Sequence, residues 1–178
     1  EQDHPPAPFA AVYERARTAG LRLTAHAGEA AGPDSVWSAI RDLHVERIGH
    51  GVRSLEDPRL VSFLVDRQIP LEVCPTSNVR TGVVDGTKPH PVVDLIQAGA
   101  YVTISTDDPT FFHCSLADEL RLVSEMTDRS ARELTLAAVR ATWLDATERA
   151  DLERRVDEFW EENGGRVGPS PTQVPSCE

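Results

Sequence analysis

The residues best suited to chemistry are His26, Glu29, His50 and the adjacent pair Asp107-Asp108. In His26-Ala27-Gly28-Glu29 an imidazole and a carboxylate stand three residues apart around a glycine, so one sharp turn can present a metal ligand and a proton-transfer group side by side. Imidazole and carboxylate together suit Zn²⁺, and a catalytic zinc keeps a position open for water, whose pKa it lowers to about 7. A protonated carboxylic acid beside such a site would donate to the atom that gains electron density. The chemistry these side chains point to is a metal-assisted hydrolysis.

Each of these residues also has a plainer reading. His26 alone could be a solvated or core histidine, and Glu29 a loop charge. Asp107-Asp108-Pro109 could cap a helix. His50, between Gly49 and Gly51, could mark only a turn. What favours joint function is where they fall along the chain.

Leu21 to Ala25 alternates in character and reads as a strand that ends at His26. Val45 to Gly51 closes a second strand at His50, Ile69 to Cys74 a third before Pro75-Thr76-Ser77-Asn78, and Tyr101 to Ser105 a fourth before Asp107. The markers His26, His50, Cys74 and Asp107 are separated by 24, 24 and 33 residues. One strand, two loops and a crossover helix of about a dozen residues fill such an interval. Helices are expected over Pro8–Gly20, from Pro33, over Asp57–Arg67 and over Pro91–Gly99. The unit is βα, repeated four times. Parallel strands share a carboxyl edge, in an open sheet or a closed barrel, and functional groups gather there. Further helices are expected over Leu116–Met126, Ala131–Trp143 and Ala146–Glu162. A Gly-, Pro- and Ser-rich tail, expected to be disordered, occupies 164–178, which leaves 1–163 as one domain.

A net charge of −11 argues against a phosphate backbone as partner, and no apolar run is long enough to span a membrane. The three cysteines show no Cys-x-x-Cys spacing, so neither a disulfide framework nor a thiolate zinc site is indicated, and a cytoplasmic location is the default. Cys74 reads as a small core hydrophobe. His4, His44 and His90 read as solvated, whereas His113, just past the aspartates, could border the pocket.

The motifs His26-Ala27-Gly28-Glu29, Arg47-Ile48-Gly49-His50-Gly51, Leu71-Glu72-Val73-Cys74-Pro75-Thr76-Ser77-Asn78 and Ser105-Thr106-Asp107-Asp108-Pro109 resemble, in order and spacing, those of the adenosine deaminase family. The resemblance implies an α/β fold, the C-terminal half of a (β/α)₈ TIM-type barrel. It implies one zinc held by His26 and Asp107, Glu29 as the acid toward a purine ring nitrogen, His50 orienting or deprotonating the attacking water, and Asp108 bonding the purine. Ser77 would support His50 or line the pocket. The implied activity is zinc-dependent deamination of adenosine or deoxyadenosine, with a small-molecule purine nucleoside as partner. Alternatives are deamination of adenine or of an aminofutalosine-type nucleoside, or a binding module that has lost its metal. The family's His-x-His pair, two further zinc ligands on its first strand, has no counterpart here. Since such a barrel takes about 250 residues, the N-terminal half of the same enzyme is the expected partner, and the chain alone is expected to be inactive.

Overall fold

The computed structural model describes residues 4–165. Helix α1 (Ala10–Thr18), entered through a 3₁₀ turn at Ala7–Phe9, precedes β1 (Thr24–Ala27). There follow α2 (Pro33–Asp42), β2 (Arg47–His50), a 3₁₀ turn at Val52–Glu56, α3 (Pro58–Arg67), β3 (Leu71–Val73), α4 (Pro75–Arg80), α5 (Val92–Gln97) and β4 (Val102–Ile104). The chain closes with α6 (Pro109–Phe112), α7 (Leu116–Met126), α8 (Ala131–Arg140) and α9 (Ala146–Glu162).

The four strands form one parallel sheet in the order β1-β2-β3-β4. Alternation sends successive side chains to opposite faces. Ala27, Ile48, Leu71 and Val73 are fully buried, in one core with Val36 and Ala39 of α2, Leu60 and Leu64 of α3, and Val92 and Leu95 of α5. At about 25 cal/mol per Å² of apolar surface, each large aliphatic side chain so buried contributes roughly 1.5–3 kcal/mol. The other face is polar. Thr24 donates to Glu72 Oε2 at 3.4 Å, and Arg47 pairs with Glu72 Oε1 at 3.2 Å while its guanidinium lies 3.8 Å from the Trp143 ring centre.

Local signals account for most boundaries. Asp57 caps α3 by accepting from the Arg59 N–H, and Ser115, Ser130 and Asp145 open α7, α8 and α9 with capping boxes. Two expectations shift. The first strand starts at Thr24 rather than Leu21, because the Leu21 N–H is taken by Ala16 O at the end of α1. Helix α8 stops at Arg140, where Arg47 donates to the Ala141 carbonyl and Trp143 turns back over Arg47. Short helices α4 and α6 begin at Pro75 and Pro109, the fixed φ of proline suiting a first helical position, and α6 is the helix that Asp107-Asp108-Pro109 could cap. Gly164 and Gly165 leave α9 with φ of +60° and +75°, and the tail from 166 onward lies outside the described residues.

Candidate active site

In a flat sheet β1 and β4 would stand three strand spacings apart, about 14 Å. Here His50, from β2, reaches groups from both. Its ring packs edge-on against the His26 ring with centres 4.7 Å apart, and its Nε2 lies 3.9 Å from Asp107 Oδ2. The carboxyl edge of the sheet thus gathers groups from its first and last strands around His50.

His26 lies within β1, paired with Gly49 of β2. A Cβ at Gly49 would stand 2.7 Å from His26 Cδ2, so the glycine is the space in which the imidazole rests. Glu29 follows a turn held from both sides. The Gly28 N–H donates to Ser35 Oγ at 2.8 Å and the Arg53 N–H to the Gly28 carbonyl at 2.9 Å. Gly28 has φ of +67°, and a Cβ there would collide with Val36 Cγ2 at 2.6 Å, so only glycine fits. Glu29 Oε2 is thereby set 3.5 Å from His50 Nε2 and 4.0 Å from His26 Nδ1.

His50 and Asp107 are the strained members, with φ of +63° and +59°. The left-handed conformation takes His50 out of the pleat it would otherwise follow with Ile48 and turns it toward His26. Successive residues of the first turn of α4 hold both strained residues. Ser77 Oγ donates to Asp107 Oδ2 at 2.7 Å, and Asn78 Nδ2 lies 3.0 Å from His50 Nδ1. That turn is itself anchored by the buried carboxylate of Glu119 on α7, which accepts from the Thr76 N–H at 3.0 Å and from the Thr76 hydroxyl.

Structure and sequence reading differ in detail. Ligand atoms of His26, Glu29 and His50 lie within 4.8 Å of one another, a wider group than the His26 and Asp107 pair. Asp107 joins it through His50. The Asp108 carboxylate caps α6, accepting from the Phe111 N–H at 3.1 Å. Ser77 supports Asp107 rather than His50. His113 ends α6, exposed, at φ of +46°. His90 is not solvated. It is buried, its Nδ1 accepts from the Val92 N–H at 3.1 Å, and burial pushes its pKa down to about 4. The Cys74 thiol is pushed up to about 12, by burial and then by the charge of Asp107, which keeps it a neutral thiol. Sequence reasoning passed over Asn78 and Glu119. Asn78 ends the stretch Leu71-Glu72-Val73-Cys74-Pro75-Thr76-Ser77-Asn78, but nothing local shows that it meets His50, 28 residues earlier.

The donors, imidazole and carboxylate from several strand ends with hydroxyl and amide support behind them, fit a borderline divalent ion such as Zn²⁺. Fold and site together define a class of parallel α/β protein with a candidate metal centre at the carboxyl edge of its sheet. Within that class, the chain belongs to the adenosine deaminase family, whose model matches residues 1–159. It is 43% identical over 154 residues to an aminodeoxyfutalosine deaminase of Streptomyces avermitilis, covering 85% of this chain and 43% of that protein. The crystal structure of an adenine deaminase from Arthrobacter aurescens superposes with a TM-score of 0.85 at 35% identity, over 90% of this chain and 50% of that one. An amidohydrolase from Burkhoderia ambifaria with bound Zn superposes with a TM-score of 0.83 at 26% identity, over 92% and 47% of the two chains. The chain thus spans about half the length of the relatives it matches. Its four βα units and closing helices are the C-terminal half of the (β/α)₈ barrel.

Proposed function

We propose that the protein to which this half-barrel belongs removes the amino group of an aminopurine by hydrolysis, adding water at the ring carbon and releasing ammonia. The observation that carries this is the clustering of His26, Glu29 and His50 within 4.8 Å, with Asp107 3.9 Å from His50 Nε2. The proposed substrate is adenine or an aminodeoxyfutalosine-type nucleoside rather than adenosine, because similar proteins act on the former two by name and adenosine enters only through the family's name. The net charge of −11 supports a small molecule over a nucleic acid.

His26 and Asp107 would hold the metal, proposed to be zinc, which when bound supplies a water acid enough to ionise near neutral pH. His50 Nε2 receives or orients the proton of that water. Glu29, 3.5 Å from His50 Nε2, carries a proton to a purine ring nitrogen as electron density builds there. Asp108 bonds the purine from the head of α6. A catalytic zinc usually takes three protein ligands, so the partner half of the barrel must complete the set. The His26 side chain is 65% exposed, on the polar sheet face that such a half would cover. The 178-residue chain by itself should neither hold zinc tightly nor release ammonia.

The test is ammonia release by the full-length protein from adenine, aminodeoxyfutalosine and adenosine, with metal content measured on the same preparation. Turnover of one of the first two by a zinc-loaded enzyme, with adenosine poorer, is expected. A metal-free protein that binds a purine without turnover would leave only a binding module.

A further inference from the structure

Asn78 is wholly buried, its Nδ2 lies 3.0 Å from His50 Nδ1, and its Oδ1 has no hydrogen-bond partner among the described residues. The opposite ring nitrogen, Nε2, faces Glu29 Oε2 at 3.5 Å and Asp107 Oδ2 at 3.9 Å. We propose that Asn78 is the positioning residue of His50: its amide anchors Nδ1 so that Nε2 alone is turned to the reacting groups. What His50 does there rests on the hydrolase reading above.

A neutral amide suits this task because it can present either end. Nδ2 donates to a bare Nδ1, and the same side chain turned over about its last bond offers Oδ1 to an Nδ1–H. The ring therefore keeps one orientation whichever nitrogen carries the proton. A carboxylate would only accept and would hold the proton on Nδ1, and an apolar side chain would do neither. The anchor is firm. Asn78 stands on a helical turn pinned at Thr76 by Glu119 and at Ser77 by Asp107, and this support keeps His50 at its φ of +63°.

The test compares the full-length protein with its Asn78→Leu, Asn78→Ala and Asn78→Asp variants. Leu and Ala should lower kcat by about 10–100-fold with KM little changed, the range seen when supporting hydrogen bonds at such sites are lost. Asp should recover about tenfold of that loss, because it accepts from Nδ1–H. In metal-free protein, ¹⁵N spectra should show a hydrogen-bonded His50 Nδ1 in the wild type and a displaced Nδ1 resonance in Asn78→Leu. Equal kcat for Leu and Asp, or an Nδ1 resonance unmoved by Leu, would overturn the proposal. Should the wild type deaminate no aminopurine, the hydrolase reading falls, and the nitrogen spectra alone still decide the role of Asn78.

Discussion

His26 and Gly49 are cross-strand partners, and a Cβ at Gly49 would stand 2.7 Å from His26 Cδ2 and 3.3 Å from its Cα. The imidazole occupies the place a side chain would take. Gly49→Ala should therefore displace the ring while leaving the strand pairing intact. The overpacking cost is about 1–3 kcal/mol. In the full-length protein, metal affinity from chelator competition should fall further than that cost explains, with little change in the circular dichroism spectrum. An alanine variant with unaltered metal affinity would show that His26 does not ligate from this position.

Glu29→Gln keeps the shape of the group 3.5 Å from His50 Nε2 and removes its ability to release an acid proton. Metal content should hold and turnover should drop by about 10²–10⁴-fold. Near-normal rates would remove Glu29 from the proton-transfer step.

Glu119 touches no reacting group, yet it fixes the turn from which Ser77 and Asn78 reach the site. Replacing it by leucine leaves the Thr76 N–H without its acceptor, a cost of about 1–3 kcal/mol. Lower stability in denaturant titration should accompany a lower kcat, since Asp107 and His50 lose their shared support. If stability falls while kcat holds, the α7–α4 tie serves folding alone.

His90 makes stability depend on pH. Its folded pKa of about 4 lies below the ordinary value of 6.5 because burial disfavours the imidazolium. Between those values the unfolded chain binds more protons, so stability is fully present above pH 6.5 and declines as pH falls toward 4. The loss amounts to about 3 kcal/mol once both states are protonated. Melting temperatures of the full-length protein followed from pH 7 to 4 should fall less steeply in His90→Asn than in the wild type.

How much of this was legible in advance depended on the range of the interaction. Helices α7 and α9 run over the residues their patterns indicated, because Ser115 and Asp145 supply caps and the apolar spacing supplies the face, all within a few residues. The strand exits at His26, His50 and Asp107 were readable for the same reason. His90 was misread because its burial comes from the loop folding onto the core. Helix α8 was overrun because Arg47, 94 residues from Ala141, takes the carbonyl there.

The sequence by itself determined the βα period, the set of imidazoles and carboxylates, and their appearance at successive strand ends. Backbone periodicity and glycine or proline punctuation act locally and are written in local order. Only the tertiary structure decided that His50 stands between groups from β1 and the exit of β4, that Ser77 serves Asp107, and that Asn78 meets His50. The pairing that brings these groups together joins strands that share no local sequence. The choice among nearby polar partners is made by packing, where Glu119 of α7 sets the turn that offers them.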